Sequence, residues 1–582
     1  MKKFPTLLAA VLLVSSLLAA PASAAGSSAP ETPQGDGYIL QLRPDAALPD
    51  GAALEACYAP QGLYTAQYPA QVLELLGTQA VEYFEPNYRV ALQGRVSDPY
   101  YSQQWNLRAL DAEQVWNAPV SASGVRVALI DSGLSLTHED LQGVDILVED
   151  GVNLLTGSHD LTDKTGHGTF IAGVLAAARN NGKGIAGMID GITIVPLKCF
   201  GEEIDTSIAY IVAAIYKAVD HYHCGIINLS LGLQTDAKSL REAVAYADSK
   251  NVLLISSTGN TGTERLLYPA AYDCVIGVGS VGRDGQVSDF SERNKSVFIT
   301  APGEDILGLS MAGDREYKQG SGTSFAAPHV TALAAVARGY DPEITADKFR
   351  LLLAASAYPC SGSASEYGCG IVNAGRFVDY LTSGTPSAAD FPDLDGHWAR
   401  VEAERGLRRS LFHGVSDTAF APDARMTRAM LVQLLYNLEG NPVTGAAGFS
   451  DVPKTAWYHD AVAWAVAHSL VTGTEDRRFL PDDAVTREQL AVILWRYARY
   501  KQADVSQSAP LDGFADAAAV SAYARTALEW AGAAGVIGGV SATQLDPQGA
   551  ATRAQAATVF NRLLPILEGQ TPQQAFAAAA AR

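Results

Sequence analysis

Six short apolar runs constrain this chain more than any other feature. Val125–Ile130, Ile192–Leu197, Ile226–Leu229, Val252–Ser256, Val275–Val278 and Val297–Thr300 are continuous in hydrophobicity rather than alternating. A strand that alternates keeps one face wet, whereas a strand apolar at nearly every position is buried on both faces. Between the runs lie segments of helical pattern, at Thr169–Ala178, Ser207–Val219, Lys238–Ser249 and Phe325–Arg338. Strands alternating with helices predict parallel pairing through crossover helices, which then cover both faces of the sheet. The expected class is α/β, a helix–sheet–helix sandwich around a mainly parallel sheet.

The N-terminal flank reads differently. Lys2 and Lys3 precede an apolar run from Leu7 to Ala20, and Ala22-Ser23-Ala24 is a small-x-small cleavage pattern. Residues 1–24 are therefore expected to be a secretory signal peptide. Residues 25–37, rich in Ser, Pro and Gly, read as a linker. Residues 38–97 form a small α/β unit, with strand-like runs at Tyr38–Leu42, Val81–Phe84 and Tyr88–Leu92 around a helical stretch near Gln71–Leu76. No second run of about 20 apolar residues follows, so no membrane span is expected after signal removal. A net charge of −20 lacks the basic footprint of a nucleic-acid binder. Six cysteines in 582 residues are too few for a disulfide scaffold. Cys360 and Cys369 bracket a Gly/Ser loop and are spaced to close a small disulfide, but the sequence does not decide the pairing.

Past a linker at residues 383–390 the chain repeats itself. Phe391-Pro-Asp393, Phe449-Ser-Asp451 and Phe514-Ala-Asp516 open three units, and Arg428, Arg487 and Arg553 (each after a Thr) follow those aspartates by 35, 36 and 37 residues. A period of roughly 60 residues, with helical segments such as Tyr458–His468 and Arg487–Arg499, marks an array. The units span 391–447, 448–512 and 513–565, and the Ala-rich stretch 566–582 reads as a loose tail.

Three segments place chemistry at the ends of the buried elements. Val127-Ala-Leu-Ile-Asp131-Ser-Gly133 puts an Asp at the carboxyl end of a strand, where open α/β sheets build their sites. Thr165-Gly-His167-Gly-Thr169 and Gly322-Thr-Ser324-Phe-Ala-Ala-Pro-His329 put a His and a Ser at helix starts. A nucleophilic Ser needs a base, and the base needs an acid that fixes its tautomer. In this order, separated by 36 and 157 residues, the segments resemble the signature motifs of subtilisin-like serine proteases. The resemblance implies that Asp131 orients, His167 is general base and acid, and Ser324 is the nucleophile. Asn260, in Ser256-Ser-Thr-Gly259-Asn260, matches the oxyanion-hole asparagine of that family. Ser230, Leu231 and Gly232 match its substrate-binding strand, which pairs with the substrate backbone. Leu233 stands where many relatives have Gly, and Phe170 where they have His, so only a lean toward apolar or aromatic residues before the scissile bond is expected.

The same resemblance extends to the flanks. Residues 38–97, with Tyr83-Phe-Glu-Pro-Asn87-Tyr88 near the end, resemble the inhibitory propeptide of these proteases, which implies a zymogen cut between Leu92 and Ser97 and a protease domain over 98–382. Asp140 and Asn180 match positions that help hold a structural calcium ion in some relatives, while the chemistry requires no cofactor. The three repeats resemble S-layer homology modules, which attach proteins to secondary cell-wall polymers as an all-α three-module bundle. By that resemblance Asp393, Arg428, Asp451, Arg487, Asp516, Arg553, Trp398 and Trp457 are candidates for contact with the polymer, with Tyr523 in the aromatic position of the third unit. The repeats carry 19 acidic and 16 basic residues, so they do not repel an anionic polymer. The combined expectation is a secreted serine endopeptidase on the bacterial cell wall or S-layer surface, acting on protein or peptide substrates and restrained by its own propeptide. The alternative is a structural wall protein with an inactive or scaffold protease domain, which a missing triad residue would favour; none is missing.

Overall fold

A computed structural model describes residues 35–43, 55–58, 62–66, 81–88 and 96–581, apart from 150, 204, 361, 443, 570 and 571. The expected signal peptide, the helical stretch near Gln71–Leu76 and most of the Leu92–Ser97 segment lie outside the described residues. The chain divides into two compact units, Met1–Arg95 and Val96–Arg582.

The first unit holds a four-stranded antiparallel sheet of β1 (Gly35–Leu42), β2 (Glu55–Tyr58), β3 (Leu63–Ala66) and β4 (Val81–Tyr88), in the order β2-β3-β1-β4. The runs Val81–Phe84 and Tyr88–Leu92, expected as two strands, begin as one: β4 continues through Pro86 to Tyr88. A proline is tolerated because β4 is an edge strand, where no outer neighbour requires its missing N–H.

The second unit opens with the short helix α1 (Trp105–Ala109) and is built on an all-parallel sheet. Its strands are β5 (Arg126–Asp131), β6 (Asp145–Ile146), β7 (Val152–Asn153), β8 (Thr193–Lys198), β9 (Ile226–Leu229), β10 (Leu253–Ser257), β11 (Ile276–Val281) and β12 (Ile299–Pro302). The order is β12-β11-β10-β9-β5-β8-β6, with β7 also on β8. Each apolar run therefore becomes a strand. Successive side chains leave opposite faces, and β5 shows it: Val127 and Leu129 join one core cluster, Ala128 and Ile130 the other. The first cluster is covered by α2 (His167–Ala176) and α5 (Thr323–Tyr340), the second by α3 (Ile208–Asp220) and α4 (Lys238–Ser249). Beyond the sheet come the hairpin β13 (Ile306–Leu309) and β14 (Tyr317–Gly320), then α6 (Ala346–Ser356).

The repeats supply α7 (Arg400–Arg408), α8 (Arg428–Leu438), α9 (His459–Ala467), α10 (Arg487–Tyr500), α11 (Arg525–Ala533) and α12 (Arg553–Leu567) around one shared core. This bundle is joined to the sheet domain. Arg400 grips the Asp347 carboxylate through two bonds of 2.8 and 2.7 Å. Arg405 donates to the carbonyls of Ala354 and Ala355, which the end of α6 leaves unpaired. The tail corrects the expectation of a loose end. Pro572–Ala581 is a helix, α13, and its Phe576 is fully buried against Trp105 and Tyr358. One aromatic anchor in an alanine-rich helix fastens the chain end to the sheet domain. The five cysteines among the described residues are all free thiols, so Cys360 and Cys369 are not bridged.

Candidate functional site

The carboxyl end of β5 delivers Asp131, and the amino end of α2 delivers His167. The His167 Nδ1 lies 2.9 and 3.1 Å from the two Asp131 oxygens. Asp131 is almost fully buried and also accepts from the Ser132 N–H (2.7 Å) and hydroxyl (3.1 Å). The close approach requires Gly168: a Cβ there would strike the Gly133 carbonyl and sit 3.1 Å from Asp131 Oδ1. Burial opposes charge on His167, but the Asp131 carboxylate and its hydrogen bond outweigh it, with Asp163 adding to them and Lys318 opposing. The imidazole pKa is thereby held above its ordinary value of 6.5.

Asp163 was not singled out from the sequence. One of its oxygens accepts from the Thr165 and Gly166 N–H groups (3.0 and 2.9 Å), and the other from the Thr169 N–H and hydroxyl (3.0 and 2.7 Å). It thus caps the start of α2 and fixes the loop that carries His167. Burial works to raise its pKa, yet these bonds leave it below the usual carboxylate value. An Asp two residues before a Thr at a helix start was the available signal.

Ser324 enters α5 at its first turn and is nearly buried. Pro328 sits four residues on and has no N–H, so the Ser324 carbonyl loses its intrahelical partner. The Ser230 hydroxyl takes that place at 3.0 Å. In turn the Ser324 hydroxyl donates to the Ser230 carbonyl at 3.4 Å and makes no hydrogen bond to His167 here. The stretch Ser230–Gly232 and the catalytic-type serine are therefore laced together. Asn260 lies on the other side. Its Oδ1 accepts from the Thr323 N–H (2.7 Å) and hydroxyl (2.9 Å). The oxygen is spent, which turns Nδ2 outward as a donor without a partner among the described residues. Thr323, also missed in the sequence, fixes that orientation. A cavity of about 630 Å³ links Asp131, His167, Phe170, Ser230, Gly232 and Lys318. The acid–imidazole pair lines this cavity, and the Ser324 hydroxyl is held at its Ser230 wall; with the Asn260 amide donor these groups can move a proton and stabilise an oxyanion.

Comparison with known proteins agrees with this geometry. The subtilase family matches residues 122–370. A thermophilic serine proteinase of Bacillus sp. strain AK1 is 33% identical over 312 residues, covering 53% of this chain and 76% of that protein. The chain belongs to the subtilase family. The major intracellular serine protease of Bacillus subtilis strain 168 is 36% identical over 249 residues, 41% of this chain and 75% of that one. Subtilisin BL of Lederbergia lenta is 32% identical over 273 residues, 47% of this chain and 97% of that one. The S-layer homology domain matches three times, at residues 390–429, 448–491 and 513–557. This subtilase is thus a subtilisin-like serine protease that carries cell-surface anchoring domains. Among the described residues no helix is long and apolar enough to cross a membrane.

The calcium positions of this subtilase do not offer bare oxygens. Asp140 is fully buried; it accepts from the Asn181 amide (2.9 Å), the Ile185 N–H (2.8 Å) and the Tyr317 hydroxyl (2.9 Å). The Asn180 Oδ1 accepts from the Ser97 N–H at 3.0 Å. A cation needs oxygens facing it, whereas here N–H and O–H donors face the oxygens. The residues present do not fit a calcium ion.

The three modules close into a ring. Arg428 donates to the carbonyls of Phe479 and Thr472 in the second module, at 2.8 and 3.0 Å. Arg487 does the same to Leu545 and Gly538 in the third, at 2.9 and 2.5 Å. Arg553 returns to Phe420 and His413 in the first, at 3.0 and 2.7 Å. Within each module the opening aspartate holds the same turn from its N–H side. Asp393 accepts from Phe420 and Ala421, Asp451 from Phe479 and Leu480, and Asp516 from Leu545 and Asp546. Each of these aspartates thus fixes a turn of its own module, one N–H to each oxygen. Each arginine keeps Nη1 without a partner among the described residues. Trp398, Trp457 and Tyr523 are 63, 62 and 59% exposed, conspicuous for aromatics. Trp398 and Arg487 line one groove of about 410 Å³ with Arg562.

Proposed function

We propose that the protein is a secreted serine endopeptidase with an Asp131–His167–Ser324 triad, made as a self-processing zymogen and held on a bacterial envelope by wall polymer. The observation that carries this reading is the Asp131–His167 pair beside the spare Asn260 amide. His167 takes the Ser324 proton as Oγ bonds to the substrate carbonyl carbon. The carbonyl oxygen, now negative, accepts from Asn260 Nδ2 and the Ser324 N–H, which gain most in the transition state. The C–N bond then breaks and His167 gives its proton to the leaving amine. Water, deprotonated by the same imidazole, releases the acyl group and restores Ser324. A rotation about Ser324 χ1 is needed first, and such contacts commonly tighten only with substrate bound. All these groups belong to the chain, so the chemistry draws on no cofactor.

Residues 38–97 act in this reading as the propeptide. The antiparallel sheet of the first unit and the family membership support it. On the ring, the free Arg Nη1 groups and the three exposed aromatics suit an anionic sugar, through charge-assisted bonds and stacking on apolar sugar faces. N-terminal sequencing with intact mass of the exported protein tests the whole reading. Wild type is expected to begin between residues 93 and 98, while Ser324→Ala keeps the segment from residue 25 onward. Equal processing of both would overturn it. Pull-down on purified wall polymer is expected to fail for a chain lacking residues 391–565.

A further inference from the structure

Leu267 stands where a substrate side chain must go. This inference rests on the triad reading above. There, the carbonyl under attack lies over Ser324 Oγ with its oxygen toward Asn260, and the acyl chain runs along Ser230–Gly232. The α-carbon beside that carbonyl is one bond away, about 1.5 Å. Its side chain therefore enters the gap between the Ser230–Leu233 segment and the Gly259–Asn260 turn. Both walls present glycine to that gap, which by itself would leave it roomy.

Leu267 fills the room instead. A Cβ built on Gly232 would lie 3.2 Å from Leu267 Cβ and 3.5 Å from its Cδ1, and one built on Gly259 would collide with the same Cδ1. The leucine thus bridges the two walls. Its backbone has little freedom to withdraw, because the adjacent Tyr268 is locked to Leu233 by paired bonds of 2.9 and 2.8 Å. Behind Gly259 the gap is closed by Glu292, fully buried, whose carboxylate is held by Thr261 and Thr263. The 630 Å³ cavity respects this boundary: Gly232 and Leu233 line it, Gly259 and Asn260 do not. It opens in the other direction, over Phe200, Ile208 and Ile211.

We propose that Leu267 occupies the pocket for the residue that donates the scissile carbonyl, so that the enzyme cleaves after small residues such as Gly, Ala and Ser. The lean toward apolar or aromatic residues before the scissile bond is thereby reversed at that position.

The test uses full-length processed enzyme and quenched fluorescent peptides that differ only in the acyl residue: Ala, Leu or Phe. Wild type is expected to prefer Ala over Phe by about tenfold or more in kcat/KM, the scale on which pocket volume discriminates. Leu267→Gly is expected to raise kcat/KM for Phe about tenfold while the Ala value changes far less. Leu267→Ala gives an intermediate order and serves if the glycine variant folds poorly. Titration with a fluorophosphonate normalises every rate to folded sites. A wild-type preference for Phe, or an Ala-to-Phe ratio that neither variant moves, would overturn the proposal. Ser324→Ala separates the two levels. If it still turns over the peptides, the triad reading fails; if it is silent and the ratio does not move, only the role of Leu267 fails.

Discussion

The cleft and the module ring use similar polar residues in opposite ways. Around Ser324 hydrogen-bonding capacity is left over: among the described residues the Asn260 Nδ2 has no partner, and the Ser324 hydroxyl rests on a single 3.4 Å contact. In the ring the motif residues hold backbone. Asp393, Asp451 and Asp516 each satisfy two backbone N–H groups, and the three arginines each satisfy two carbonyls of the next module. A recurring polar residue can therefore mark chemistry or architecture, and the unspent atom tells them apart. Capacity held in reserve costs stability and is available to a ligand.

That contrast can be broken by exchange of the two kinds of residue. Asn260→Asp removes the spare donor and keeps the oxygen that Thr323 holds. It is expected to lower kcat by about 10²–10³, the loss seen on removing such a donor in a relative, and to leave the melting temperature unchanged. Steady-state kinetics beside calorimetry check both halves. A matching loss of stability would mean that Nδ2 was structural. Asp451→Ala removes a spent acceptor. It leaves the N–H groups of Phe479 and Leu480 unsatisfied and is expected to cost about 2 kcal/mol of stability. Peptide hydrolysis should persist, and denaturant unfolding reads the difference.

The smallest effect sharpens the electrostatics of the cleft. The imidazolium form of His167 cannot accept the Ser324 proton, so kcat/KM rises with pH as that proton leaves. Because Asp131 holds the pKa above 6.5, the midpoint of the rise is expected above that value. Lys318 pulls the other way, so Lys318→Met shifts the midpoint further upward. A downward shift would mean that the lysine does not act on His167 through its charge.

Much of the sheet domain was legible because burial on both faces writes itself into sequence. The run Ile226–Leu229 is strand β9, Lys238–Ser249 is helix α4, and the other strands differ from their runs by a few residues. The Asp131, His167, Ser324 and Asn260 positions were legible because each sits at an element end among glycines and small residues. What supports them was not. Thr323 and Ser230 act through partners far away in sequence, and Ser230 matters because Pro328 orphans a carbonyl 94 residues distant, whereas Asp163 works inside its own loop, on Thr165, Gly166 and Thr169. The closure of the ring was not legible for a related reason: an Arg after a helix-capping Thr suits an anionic sugar or a neighbouring carbonyl equally, and nothing local to the motif says that its Nε and one Nη reach the next module. The tail was misread because alanine content masks its anchors, Phe576 in the core and Gln573 on the Tyr367 hydroxyl.

The most direct measurement is covalent labelling. Full-length enzyme treated with a fluorophosphonate and digested should carry the adduct on Ser324 alone, with labelling lost in both Ser324→Ala and His167→Ala. Adduct on another serine, or labelling that survives Ser324→Ala, would contradict the account.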